Sequence, residues 1–352
     1  MRHTPAHNPS FGIELELITR QLLASDSDNS RLRSAATALH MLLADVSGLT
    51  EASTDDRERR DIALDSGVAI SPLDAARSIL DYRRTVKFLR GLDHCITKAR
   101  QHYPNETLKI LYAGCGPFAP FAVTLSTLLS PAEVQFNLLD VNPLSLAICR
   151  RLFAKLGLGD HVHKYIEADA GAFRKSAGDE FQLVIVEAME NTLATEPQVN
   201  ITLNLAPQLA AGGFFIPERI QIVCYLTDPP AEVVLFSRVP VADVLDQARQ
   251  PRLLLGSVFE LSAMSAINLD HKSGGQRRSF DAVIVEVPES QPGLYALLTT
   301  EVTVSESIVL REGESGLTQS TLLRDLGPLE PGTRIEFHYE IGPKPGLRYR
   351  LV

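Results

Sequence analysis

Leu108-Lys109-Ile110-Leu111-Tyr112-Ala113-Gly114-Cys115-Gly116-Pro117 begins as an apolar run and ends on two glycines that bracket a cysteine. A short run rich in Ile and Leu that stops on glycine reads as a buried strand followed by a tight turn. The next residues, Pro120–Leu129 (PFAVTLSTLL), read as a helix. The alternation then repeats. Val134–Val141 is a strand and Pro143–Gly157 a helix, Lys164–Ala170 and Phe181–Ala188 are strands, and Asn200–Ala210 is a helix before Gly212–Pro217. Strands alternating with helices imply a parallel sheet with helices on both faces. The fold class is therefore α/β, Rossmann-like.

Upstream, the first ten residues carry no apolar pattern and read as disordered. Ile13 to Val46 is helical in period, broken into two helices at Ser25–Asn29, and the charged stretch Thr50–Asp61 reads as a solvated loop or helix end. Ser71-Pro72-Leu73-Asp74 is a helix start, with Ser at the cap and Pro at the first position, and the periodicity predicts one helix from there to about Arg100. Downstream of Pro217, seven strand-like runs separated by Gly and Pro turns predict an antiparallel barrel or sandwich: IQIVCYL, SFDAVIVEV, ALLTTEVTV, IVLRE, STLLRDL, TRIEFHYEI and LRYRLV. ADVLDQARQPRLLLG reads as a helical insertion between the first of these strands. The predicted organisation is an N-terminal helical segment at 1–66, a Rossmann-like domain at 67–219 and a C-terminal β-barrel-like domain at 220–352.

The chain has 352 residues, 43 Asp and Glu against 34 Lys and Arg, and mean hydropathy near zero in a composition that is 45% hydrophobic. An acidic balance argues against a nucleic-acid partner and is compatible with a cationic one. The N-terminus has no secretory apolar region and no apolar run reaches membrane-spanning length, so a cytoplasmic protein without a membrane partner is expected. Four cysteines without CxxC spacing read as reduced thiols. His161 and His163 alternate without further ligands at suitable spacing, so no metal is expected, and His161 reads as partly exposed.

The chemistry collects at predicted strand ends. Gly114 and Gly116 allow a backbone to approach a ligand beside a helix N-terminus. Asp140 ends the second strand, where a carboxylate can accept both ribose hydroxyls of a nucleoside, and Asp169 ends the third, where it could meet an adenine amino group. Each has a simpler reading as a turn or cap residue; three such features at three successive strand ends are harder to explain that way. Glu187 ends the fourth strand and Glu196 precedes a helix, with eight residues between them. Two carboxylates that face each other are costly unless a cation lies between them.

These features together resemble the motif series of class I S-adenosylmethionine-dependent methyltransferases, and Glu187 and Glu196 resemble the paired-glutamate hairpin of the protein arginine methyltransferases. Asp81-Tyr82-Arg83-Arg84-Thr85 is similar to that family's D-x-x-R-T stretch, Ser66–Ser71 to its cofactor-covering helix, and Leu205–Arg219 to its passage into the barrel. Ser315–Leu323 is similar to its Thr-His-Trp signature. The resemblance implies S-adenosylmethionine as cofactor, held by Arg84, Gly114, Gly116, Asp140 and Asp169, with Glu187 and Glu196 as the catalytic pair and a subunit pairing to a homodimer. The departures are specific. The family's His and Trp align with Gly316 and Leu317, the third glycine of its loop with Phe118, and the acidic residue before that loop with Tyr112. The cofactor-covering tyrosines are missing. What remains resembles small-molecule arginine N-methyltransferases of natural-product pathways, acting on free L-arginine or a related guanidine. A natural-product N- or O-methyltransferase on another amine or hydroxyl, and a non-catalytic cofactor-binding assembly module, stand as alternatives.

Overall fold

Two N-terminal helices, α1 (Pro9–Leu23) and α2 (Asn29–Ser47), pack on each other through Leu15, Ile18, Leu22, Leu32, Leu39 and Leu43, all buried. The computed structural model describes residues 9–25, 27–229, 232, 252–273, 279–289 and 293–352. Helix α1 is already formed at Pro9, inside the stretch that the composition marks as disordered; residues 1–8 lie outside the described residues. Asp28 caps α2 by accepting from the Arg31 N–H, and Gly48 ends it at φ 82°. The charged stretch that follows contains a short 3-10 turn, Asp56–Arg59, with no buried residue. A hairpin of β1 (Ile62–Leu64) and β2 (Gly67–Ala69) comes next, where the family resemblance of Ser66–Ser71 implies helix. Its short strands lack the apolar stripe that an amphipathic helix would need.

Ser71 caps α3 (Pro72–Arg77) as the sequence predicts, its hydroxyl accepting from the Asp74 N–H. The predicted single helix is divided: after a 3-10 turn at Ser78–Leu80, α4 (Tyr82–His102) starts afresh with Asp81 as its cap. An Asp side chain that accepts the N–H three residues on satisfies one of the orphan donors of a new helix start, so the apolar period survives a break in the backbone. Arg90 of α4 donates to the Leu22 and Ala24 carbonyls and so closes the open C-terminal end of α1.

Strand β3 (Leu108–Ala113), α5 (Pro120–Leu125), β4 (Val134–Asp140), α6 (Pro143–Leu156), β5 (Val162–Glu167), β6 (Leu183–Val186), α7 (Gln198–Leu205) and β7 (Phe214–Ile216) complete the α/β part. The five strands are parallel in the order β5-β4-β3-β6-β7. β3, β4 and β6 are nearly wholly buried, as their largely apolar runs require of strands covered on both faces. Helix α5 stops at Leu125, earlier than the apolar pattern suggests. His161 is buried at 7% exposure, its Nε2 2.8 Å from the Leu129 carbonyl; a hydrogen-bonded core position replaces the partly exposed one expected.

The C-terminal part contains β8 (Arg219–Thr227), β9 (Leu253–Ser262), α8 (Ala263–Ser273), β10 (Val283–Glu286), β11 (Tyr295–Ser305), β12 (Ile308–Leu310), β13 (Thr321–Leu322), β14 (Arg334–Glu340) and β15 (Gly346–Leu351). They form two antiparallel sheets, β12-β11-β8-β9 with β13 on β11, and β10-β14-β15. Ile220, Ile222, Cys224 and Leu226 point inward at every second position of β8, as do Ile335, Phe337 and Tyr339 of β14. Phe259 of β9 stacks on Tyr339 with ring centres 4.6 Å apart and joins the two sheets. Of the insertion read as helical, Ala242–Pro251 lies outside the described residues, while Leu253–Gly256 opens strand β9. The STLLRDL run pairs only at Thr321–Leu322 and then turns into a 3-10 segment. The N-terminal helices, the α/β part and the two sheets share one continuous set of buried apolar residues.

Candidate active site

Because β3, β4 and β6 are parallel, their C-terminal ends lie on one edge of the sheet, where open α/β sheets bind ligands. A cavity opens there. Its wall includes Arg84, Gly114, Gly116, Asp140, Asp169, Glu187 and Glu196, which are all seven residues singled out from the sequence. They come from α4, the β3–α5 loop, the end of β4, the loop after β5, and both ends of the β6–α7 loop.

The glycine loop turns sharply, with Gly114 at φ 72° and Gly116 at φ 63°. The Gly114 and Cys115 N–H groups both donate to the Leu139 carbonyl, which pins the loop to the end of β4. A side chain on Gly116 would point at Ala75 of α3, 3.5 Å from its Cβ, so the loop and α3 approach closely on either side of the cavity. Phe118, where the family has its third glycine, is fully buried with the His40 ring of α2 edge-on 6.2 Å away. Tyr112, where the family has an acidic residue, is also fully buried, stacked on Phe121 at 5.5 Å, and burial drives its hydroxyl pKa well up. Burial likewise holds the Cys115 thiol well above its ordinary range, which makes it a loop-filling side chain rather than a nucleophile.

Asp140 uses one oxygen to accept the Gly116 N–H and the other to accept the Asn142 N–H, both at 2.8 Å. Burial raises its pKa and these bonds oppose the rise. A carboxylate offers about four lone-pair sites, so these backbone donors leave room for a hydroxyl from the cavity. Asp169 accepts the Gly171 N–H at 2.7 Å with Oδ1.

Arg84 forms an ion pair with Glu187, and their side chains are only 15% and 7% exposed. Burial opposes charge on Arg84, but Glu187, Glu196 and Asp81 more than offset it and hold the guanidinium protonated. Burial raises the Glu187 carboxyl, an effect that Arg84 counters. Glu196 is pushed up to about 8, first by burial and next by the charge of Glu187. The two buried carboxyls thus share one buried cation, Arg84, which is ion-paired with Glu187.

The loop between the glutamates is braced at several points that sequence reasoning missed. Gln198, buried at the start of α7, accepts the Ala188 N–H and faces the Val186 carbonyl. Asn191 donates to Thr321 Oγ1 at 3.0 Å, and Tyr339 OH donates to the Leu193 carbonyl at 2.6 Å. The Thr195 carbonyl accepts from Val68 of the hairpin, and its N–H donates to the Pro345 carbonyl. The one signal available in sequence was a polar Gln and Asn at the edges of otherwise apolar segments. Asp81 accepts from the Ser315 hydroxyl and the Gly316 N–H, so the segment lacking the family's His and Trp is still tied to the start of α4. His338 points outward from β14, away from the Tyr339 face.

The fold, a Rossmann-like sheet followed by antiparallel β-structure, has the architecture expected from the sequence. Among solved structures, the chain is similar to the Trypanosoma brucei PRMT1 enzyme-prozyme heterotetrameric complex with AdoHcy, with a TM-score of 0.51 and 15% sequence identity over 78% of this chain and 91% of that one. No protein-family model and no curated protein matches the sequence. Among the described residues, no cluster of His, Cys, Asp and Glu is arranged to hold a metal, and no helix is long and apolar enough to cross a membrane.

Proposed function

We propose that this protein is an S-adenosylmethionine-dependent N-methyltransferase acting on the guanidino group of a small cationic molecule, with free L-arginine as the first candidate. The observation that carries the reading is the convergence of Glu187, Glu196 and the buried Arg84 on the cavity that also holds Gly114, Gly116, Asp140 and Asp169. The likeness to a PRMT1 complex with AdoHcy supports the same class, and its assembled state supports pairing of two subunits here. The loss of the family's His and Trp at Gly316 and Leu317 favours a small substrate of specialised metabolism over a protein.

The donor set fits the cofactor. Gly114 and Gly116 let the backbone lie against it, Asp140 has free lone pairs for ribose hydroxyls, and Asp169 can accept from the adenine amino group. Arg84 has five N–H donors, more than its contact with Glu187 uses, and a forked guanidinium suits the cofactor carboxylate. S-adenosylmethionine supplies an electrophilic methyl group when bound.

The two glutamates then act on the substrate. A guanidinium is a poor nucleophile because its charge is delocalised and its pKa lies far above neutrality. Glu187 and Glu196 hold it by charge-assisted hydrogen bonds and favour positive charge on the nitrogens that do not react. The remaining nitrogen thereby regains lone-pair character. Glu187 is already committed to Arg84, which leaves Glu196, with its pKa near neutrality, as the acceptor of the departing proton.

The test is calorimetric titration with S-adenosylhomocysteine, with and without L-arginine, followed by transfer of a labelled methyl group. Binding tightened by arginine and not by lysine, with label on the guanidino nitrogen, is the expected outcome. Cofactor binding without an arginine effect would redirect the search to other amines, and no cofactor binding in folded protein would overturn the reading.

A further inference from the structure

The β6–α7 loop carries an unusual concentration of disfavoured backbone. Thr192, Leu193 and Thr195 all have positive φ, at 55°, 57° and 64°, although none is glycine. β-branched residues rarely adopt this conformation, because Cβ crowds the following carbonyl. Such a segment persists only where its surroundings over-determine it. The contact at its centre is the Tyr339 hydroxyl, which donates to the carbonyl of Leu193 at 2.6 Å.

Tyr339 is well placed for that task. It is 4% exposed, lies one residue from the C-terminal end of β14, and is paired there with Leu347 of β15. Its ring is stacked on Phe259 and meets Phe280 edge-on at 6.1 Å, and those two rings meet each other at 4.8 Å, so the hydroxyl projects from a side chain held in an aromatic cluster. The Leu193 side chain is itself buried, which fixes the carbonyl from the other direction. On the far side, Asn191 is tethered to Thr321 of β13. Loop and β-sheets therefore meet through directional polar contacts rather than through apolar packing alone.

We propose that Tyr339 is a positioning residue for the paired-carboxylate loop: its hydroxyl, held by the aromatic cluster of the C-terminal sheets, keeps the strained backbone at Thr192–Thr195 in the conformation that aims Glu196 into the cavity. The proposal rests on the methyltransferase reading for its effect on turnover, but the clamp is observable without it.

The experiment uses the full chain carrying Tyr339→Phe, which keeps the ring and removes one donor. Hydrogen exchange of the 189–197 segment is expected to accelerate while β3, β4 and β14 keep their protection. Affinity for S-adenosylhomocysteine is expected within about twofold of wild type, and guanidine turnover to fall roughly tenfold, the order of one net hydrogen bond. Unchanged exchange in the loop overturns the proposal whatever turnover does. Faster exchange with unchanged turnover of a guanidine that the wild type methylates overturns the positioning role. If the wild type methylates no guanidine, the functional reading fails, and the exchange comparison alone decides the clamp. Thr321→Val removes the Asn191 tether and leaves the Tyr339 hydroxyl in place; it should accelerate loop exchange less than Tyr339→Phe does, and an equal or larger effect would assign the clamp to Asn191 and overturn the proposal.

Discussion

Binding of a guanidinium between Glu187 and Glu196 should expel a proton. Glu196 has a pKa of about 8 because burial and the neighbouring Glu187 both disfavour its charged form. At pH 7 it is therefore roughly nine-tenths protonated when no cation is bound. A guanidinium remains charged throughout this range and gains most from an ionised partner, so binding selects the deprotonated carboxylate. Affinity for L-arginine should rise by about one decade per pH unit from pH 6 to 7 and level off as pH passes about 8. The assay is calorimetric titration of cofactor-product-saturated protein with arginine, in two buffers of different ionisation enthalpy. The difference in apparent heat at pH 7 should correspond to release of about one proton, and Glu196→Gln should abolish it. Affinity that is flat between pH 6 and 7.5, with heats independent of buffer, would refute the reasoning, because the carboxylate would then be ionised before the cation arrived.

The same shift has a consequence for stability. A carboxyl with its pKa raised in the folded state binds more protons folded than unfolded between about 4.5 and 8, so the unliganded protein should lose stability as pH rises through that window, by at most about 1.4 kcal/mol per unit; denaturant titrations at pH 5.5 and 8 measure it. Glu187→Gln and Glu196→Gln should each lower kcat by roughly two to three orders of magnitude while the protein still binds S-adenosylhomocysteine, and near-normal turnover in either would remove it from the site. Arg84→Ala should weaken S-adenosylhomocysteine roughly tenfold or more and strand Glu187 without its cation, seen by calorimetry and as a lowered Tm. Gly67→Ala should cost about 1–3 kcal/mol in backbone strain alone, since Gly67 has φ 139°, and a Cβ there would sit 2.4 Å from the Thr195 carbonyl oxygen; thermal unfolding reports the loss.

The parallel sheet was legible because its long strands are predominantly apolar runs bounded by glycine, proline or an acidic residue. The same punctuation marked Asp140, Asp169 and Glu187, whose positions follow from strand ends. Asp81 was harder to read. Its capping role is local, yet the apolar period of α3 continues through the break into α4, and periodicity alone cannot register a change of axis. Leu253–Gly256 was misread because a short apolar run fits a helix as well as a strand, and its neighbours in space, β8 and β10, lie far away in sequence. Tyr339 left no trace, since a hydrogen bond between residues 146 positions apart imposes no spacing rule on either partner.

That separation also bears on when the site can form. Thr195 is reached from Val68 on one side and from Pro345 on the other, and Leu193 from Tyr339. During synthesis the cofactor-facing loops and both glutamates emerge well before β14 and β15, so a nascent chain has the chemical groups of the site before it has the contacts that fix them. Closing loops of this length is slow relative to local helix and turn formation. The contacts that fix the paired carboxylates therefore close only after the groups themselves have been made.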